Sequence, residues 1–229
     1  MLSDNNKNDG SIYKGALSLS LAALTVKILG LIYKIPLSHI IGDEGMGYFN
    51  SAYTIYSFFY LLCTAGMPKA ITIMISELRT KDLKCTELRV VRSCLVAFGL
   101  MGLLISVLFE LSSNGLSQII GNSKAAKTIL YIAPSVFFVA LSGVIKGYFN
   151  GAVKLLPIAI SQLIEAVSKL GLGLLFALYA KNKSLPFEII SAYTILGITI
   201  GSVLSFVYLY VELKIHFKDD NAGQNAKRK

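Results

Sequence analysis

Two lysines seven residues apart, Lys27 and Lys34, stand inside an apolar stretch that reads GALSLSLAALTVKILGLIYKIPLSHII from Gly15 to Ile41. With Ser20 they project from one face of a helix, drifting only ~20° per heptad. A lysine at mid-bilayer depth costs about 3 kcal/mol on insertion scales, so it normally faces a bundle interior or an aqueous cavity. The chemistry it offers there is attraction of an anion. Lys27 lies roughly twelve residues, at ~1.5 Å each, from either end of the stretch, too deep to reach water along lipid. Lys34 has a second reading: near a helix end, its stem can lie along lipid with the amine at the interface.

A second polar stripe follows Pro157, which suits a first helical position. Ser161, Gln162, Glu165, Ser168 and Lys169 recur at three- and four-residue spacings and share a face. Glu165 and Lys169 stand at i,i+4 in the favourable order, so an intrahelical ion pair is one expectation. Even paired, they cannot face lipid cheaply and must line protein or water. The two stripes together predict a polar, net cationic cavity between the first and fifth spans. Tyr53, Tyr56, Tyr60 and Thr64 line one side of the second span, where packing, interface anchoring or stacking on a sugar ring are open to them. The Gly66-Met67-Pro68 run predicts a break there.

The rest of the composition fits elements that cross a membrane. The chain has 229 residues, 54% of them hydrophobic and 15% charged, with a mean hydropathy of +0.63. A soluble domain of this size has too much surface to hide that much apolar area. Six spans are expected at Gly15–Ile35, Gly47–Ser76, Ser93–Leu111, Thr128–Tyr148, Pro157–Tyr179 and Glu188–Val211, each near or above the ~20 residues a bilayer requires. The first carries lysine and lacks a small-residue cleavage site, unlike a signal peptide.

The net charge of +9 follows topology and does not indicate nucleic acid. With the N-terminus inside, fourteen of the 22 Lys and Arg residues fall in inner segments, Lys146 and Lys154 among them. Four (Lys124, Lys127, Lys181, Lys183) fall in outer loops, and Lys27, Lys34, Lys69 and Lys169 lie within or beside spans. That asymmetry predicts both termini in the cytoplasm. Cys63, Cys85 and Cys94 lack metal or disulfide spacing and read as free thiols. With two histidines, His39 and His216, neither a metal site nor a triad is expected. The chain has no Walker A loop for nucleotide hydrolysis. No cofactor and no enzymatic activity are expected.

Residues 1–11 read as a disordered cytoplasmic leader, 12–212 as a single six-helix lobe, and 213–229 as a basic cytoplasmic tail. Gly-Tyr-Phe-Asn occurs at Gly47–Asn50 and again at Gly147–Asn150; an inverted repeat and chance both account for so short a match. Gly197, Gly201 and Ser205, and likewise Gly99, Gly102 and Ser106, supply seams for close helix packing.

An ordered set of motifs carries a family resemblance. Lys27, Gly30, Lys34 and Ile35-Pro36-Leu37, then Ile41-Gly42-Asp43-Glu44-Gly45-Met46-Gly47, resemble the first helix and following loop of stage V sporulation protein B-type proteins. Thr64-Ala65-Gly66-Met67-Pro68 with Ser76-Glu77 is similar to that family's second-helix end. Gly147-Tyr148-Phe149-Asn150-Gly151, Pro157, Ser161-Gln162 and Glu165 resemble its signature between helices four and five. Those proteins belong to the polysaccharide branch of the MATE-like flippases. The resemblance spans about residues 12–212. It implies export of lipid-linked saccharides, such as peptidoglycan precursors, across a bacterial plasma membrane.

On that resemblance Lys27, Lys34 and Lys169 would attract the substrate's pyrophosphate. Gln162 and Glu165 would orient it or titrate with a coupling ion, while the polyprenyl tail stays in membrane lipid. Lys27 and Lys169 stand where the family commonly has arginine, which loses bidentate phosphate geometry; Lys69 occupies a usually apolar position. The family pattern is fourteen helices with two six-helix lobes about a central cavity, and this sequence covers one lobe. A second lobe, as a separate chain or a second copy, is therefore an expected partner. A multidrug or cation antiporter of the same superfamily, or an inactive half-transporter, are the alternatives.

Overall fold

The computed structural model describes the backbone over residues 2–81 and 83–227, and side chains over 14–218 except Ala65, Asp82, Lys84 and Cys85. The expected disordered leader, most of the basic tail and Cys85 lie outside the described side chains. All regular structure among the described residues is helical. The elements run α1 (Leu2–Leu61), a π-helical turn (Leu62–Gly66), α2 (Met67–Thr80), α3 (Lys84–Leu111) and α4 (Ser113–Ile119). A 3₁₀ turn (Ser123–Ala125), α5 (Ala126–Gly151), α6 (Leu156–Asn182) and α7 (Phe187–Lys227) complete the order.

Continuous helical hydrogen bonding hides a reversal inside α1. Gly42 has φ 68° and ψ 177°, a conformation open essentially to glycine alone. Along a straight helix Tyr33 and Phe49 would be about 24 Å apart, yet their ring centroids are 6.5 Å apart. The two limbs of α1, 14–41 and 43–61, therefore run antiparallel. The loop that the resemblance implied after the first helix, within Ile41–Gly47, is a single-residue corner at Gly42.

The break expected at Gly66-Met67-Pro68 takes the form of the π turn followed by Pro68 in the first turn of α2. A π turn and an N-terminal proline both relieve backbone bonding where a helix must bend. Among the described residues five helical stretches are long and apolar enough to cross a membrane, and the first, Lys14–Thr80, has 67 residues. Straight, it would measure about 100 Å, more than three times the hydrocarbon thickness. Folded at Gly42 it supplies two crossings, so the bundle crosses six times, and the all-α polytopic fold is confirmed.

The crossings alternate consistently. At one face Ser191 Oγ donates to the Gly45 carbonyl at 2.8 Å and Lys181 Nζ to the His39 carbonyl at 3.1 Å. Lys127 pairs with Glu188 there at 2.9 Å. At the opposite face Gly15 packs on Leu155, and Lys154 Nζ donates to His216 Nδ1 at 2.8 Å. The first limb of α1 and the end of α7 therefore emerge together. Arg79 secures that face, bonding Glu87 of α3 at 3.1 Å and the Tyr148 hydroxyl of α5 at 3.2 Å.

Helix α5 is the axis of the lobe. From Val139 to Phe149 every residue is buried, as expected of a helix with no polar face. Its small residues admit neighbours closely. A Cβ on Gly147 would sit 2.8 Å from the Pro68 carbonyl oxygen, and Thr72 Oγ1 donates to the Gly147 carbonyl at 3.1 Å. Two seams foreseen from sequence are present. Ser106 Oγ donates to the Ala133 carbonyl at 3.0 Å, with Gly102 against Ala140, while Gly197 of α7 lies directly on Gly173 of α6. The leucine-rich outer faces of α3 and of the first limb of α1 are exposed, as lipid-facing surfaces are.

One expectation fails here. Lys146, counted among the inner-face cations, is buried at 7% exposure within α5. It is an interior charge. Its removal leaves the basic asymmetry of the loops standing but one residue weaker.

Candidate functional site

The two limbs of α1 and the middle of α6 part around an open cavity of about 440 Å³. The first limb contributes Val26, Lys27, Gly30 and Tyr33; the second contributes Tyr53, Tyr56, Ser57 and Tyr60; α6 contributes Gln162, Glu165 and Lys169, with Ile198 of α7 behind. The proposed site residues Lys27, Gln162, Glu165 and Lys169 are thus brought together. Lys34 is exposed and is not among the lining residues. Its neighbour Tyr33 lines the cavity and is buried at 2%.

The stripe read along α6 divides in two. Gln162, Glu165 and Lys169 line the cavity. Ser161 is fully buried and bonds back to the Ile158 carbonyl at 2.7 Å, and Ser168 packs on Gly201 of α7. Wide spacing of polar residues around α6 lets one helix serve both the cavity and the helix seam.

Tyrosines form one wall. Phe49, Tyr53, Tyr56 and Tyr60 recur at i, i+4, i+7 and i+11, and successive ring centroids lie 5.8, 6.0 and 5.6 Å apart. This spacing gives a continuous aromatic strip along the second limb. Lys169 reaches across to it. Its Nζ lies 4.4 Å from the Tyr53 ring centroid and donates to the Tyr53 hydroxyl at 3.3 Å. It is also 6.0 Å from the Tyr33 ring. Among the described residues neither Lys27 nor Lys169 has a carboxylate partner.

Glu165 finds its partner elsewhere. The intrahelical Glu165–Lys169 pair weighed from sequence does not form; Glu165 Oε2 instead lies 3.8 Å from Lys146 Nζ of α5. Lys146, the partner of a cavity-lining residue, is the one that sequence reasoning placed elsewhere. A signal for it existed: beyond Lys127 in the first turn, it is the one charge in α5, among positions that are mostly apolar or small all round, the pattern of a buried helix.

The cavity can attract and orient an anion against an aromatic surface. No group of three or more His, Cys, Asp or Glu that could hold a metal exists among the described residues. Cys63 and Cys94 are free thiols.

The chain matches the family described as polysaccharide biosynthesis protein over residues 12–228. It is 26% identical over 204 residues to the stage V sporulation protein B of Bacillus subtilis (strain 168), covering 88% of this chain and 39% of that protein. It is 27% identical over 176 residues to the uncharacterized membrane protein YabM of the same organism, covering 76% and 32%. To the lipid II flippase MurJ of that organism it is 24% identical over 211 residues, covering 87% and 39%. No solved structure matches the chain. It thus spans roughly two fifths or less of the length of these relatives. A match over nearly the whole sequence, on a six-crossing helical bundle, shows that this multi-pass membrane protein belongs to the polysaccharide biosynthesis protein family.

Proposed function

We propose that this lobe forms one wall of the transport cavity of a flippase for lipid-linked saccharides in a bacterial plasma membrane. One observation carries the reading: at mid-membrane depth the cavity holds two ammonium groups, Lys27 and Lys169, with no carboxylate on either, beside a strip of tyrosines. Charge without a partner in a membrane is costly, and an anionic headgroup would offset that cost. Lys27 and Lys169 would take the pyrophosphate, Gln162 would hydrogen-bond to it, and the polyprenyl chain would remain in lipid. Stage V sporulation protein B and the lipid II flippase MurJ are the relatives that support the direction of this reading.

A lobe with one wall needs another. A second six-helix lobe, in the same polypeptide, in a separate chain or in a second copy, would cover the open mouth beside Lys27. It would also enclose Lys34, which stands on the exposed side of the same limb. Rocking of the two lobes would then alternate access. Both termini would lie in the cytoplasm, which the excess of lysine and arginine on the face shared by residue 14, α2's end and α7's end supports.

The deciding experiment is complementation of a flippase-deficient strain with the second lobe present. Lys27→Ala and Lys169→Ala should each abolish growth at normal protein level. Full activity of both would reduce these lysines to packing. The Glu165–Lys146 pair favours a second reading, a cation antiporter in which the acid is displaced from its lysine by a cation. In that case the lysine variants would keep drug export and Glu165→Gln would lose it.

A further inference from the structure

Lys146 is not among the residues that line the cavity, yet it pairs with one that is, Glu165. Its side chain is 9% exposed and that of Glu165 17%, with 3.8 Å between Nζ and Oε2. Helices α5 and α6 scarcely touch each other through their backbones, so this pair bridges them with long side chains. On α6 itself Glu165 stands one turn before Lys169, a spacing that brings Cβ atoms to about 5–6 Å and favours pairing. That pairing is absent. Lys169 turns to Tyr53 instead, at 3.3 Å from its hydroxyl.

We infer that Lys146 is a positioning residue that sequesters Glu165 and so keeps Lys169 free to receive an anion. The inference rests on the anion-binding role proposed above. Two lysines would otherwise compete for one carboxylate, and the one in the cavity is the one substrate needs. Drawn to Glu165, Lys169 would leave the tyrosine strip and its charge would be cancelled within its own helix. Held by Lys146 from behind, Glu165 contributes no net negative charge. The cavity then presents Lys27 and Lys169 at full strength. The arrangement gives opposite signs for the two members of one ion pair. Removing Lys146 should weaken anion binding, because Glu165 is released to Lys169. Removing the charge of Glu165 should strengthen it, because Lys146 then adds a third positive charge near the lumen.

Binding of farnesyl pyrophosphate to the intact protein in detergent, against uncharged farnesol, tests this. Lys146→Met should weaken pyrophosphate binding about tenfold, the order expected of one charge a few ångströms away in a partly screened site. Glu165→Gln should tighten it by a similar factor. The double variant should return to the wild-type value, and Lys146→Arg should keep it. Farnesol binding should not move in any of them. If both single variants bind more weakly and the double recovers, the pair only holds α5 to α6 and the inference falls. It falls equally if Lys146→Met, or Glu165→Gln where that methionine variant does not fold, binds as the wild type does. A wild-type protein that does not prefer farnesyl pyrophosphate to farnesol would instead overturn the anion-site reading itself.

Discussion

The ammonium of Lys169 on α6 lies 4.4 Å from the ring centroid of Tyr53 on the second limb of α1. This contact joins two elements across the cavity, and it holds a charge in place without neutralising it. A carboxylate would have cancelled the charge; an aromatic face leaves most of it available to a ligand.

Removing the ring should therefore cost binding through loss of orientation. Tyr53→Leu is expected to lower affinity for a pyrophosphate-bearing ligand several-fold, since a cation–π contact contributes about 0.5–2 kcal/mol. Tyr53→Phe keeps the face and loses only the 3.3 Å hydrogen bond, so its effect should be smaller. Equal losses in the two variants would assign the role to the hydroxyl.

Gly42 offers a stability test that is independent of function. Its φ of 68° and ψ of 177° belong to a region that a Cβ makes costly by about 1–3 kcal/mol. The space itself is open, since the nearest atom to an added Cβ is Phe187 Cε1 at 3.7 Å. Gly42→Ala should lower the thermal midpoint in detergent through backbone strain alone. Gly47→Ala, on the second limb with nothing within 4 Å, should not. Comparable midpoints for the two would remove the corner at Gly42.

Much of this arrangement is written in residue spacing. Hydropathy delimits the six crossings, and the depth of Lys27 together with the stripe from Gln162 to Lys169 locates the cavity, because charge in a membrane must face inward whatever the neighbours are. Partner choice is not local. Glu165 and Lys169 satisfy every one-dimensional rule for an ion pair, and they lose it to Lys146, which is near only after α5 takes the axis of the bundle. Lys34 shows the same limit: heptad spacing puts it on the face of Lys27, but the cavity does not extend one heptad further, and Lys34 stands exposed outside its lining. The corner at Gly42 reads as a loop in sequence since no pattern distinguishes one special residue from several flexible ones.

The α6–α7 seam should tolerate no added atom at one position. A Cβ on Gly197 would lie 2.6 Å from Gly173 Cα, and backbone cannot move aside as a side chain can. Gly197→Ala should cost about 1–3 kcal/mol by forcing the helices apart. It should also loosen the α6 residues that line the cavity. Gly171→Ala, two residues from the contact with nothing within 4 Å, should leave the thermal midpoint unchanged or raise it, since alanine favours helix over glycine. A neutral Gly197→Ala would show that the helices cross less closely than this.

Orientation in the membrane can be settled by cysteine accessibility on intact cells. The corner at Gly42, the turn at Ser184 and the loop before α5 share one face, tied by Lys181 to His39 and by Lys127 to Glu188. Thr80, Lys154 and the end of α7 share the other, and the loops there are richer in lysine and arginine, which predicts that this face lies inside. A thiol introduced as Ser184→Cys should react with a membrane-impermeant maleimide. Thr80→Cys, exposed at the end of α2, should react only after the membrane is permeabilised. The two positions lie on opposite faces of the lobe, so one pattern or its inverse must appear. Labelling of Thr80→Cys from outside, with Ser184→Cys protected, would invert the protein and put the basic loops on the outer surface.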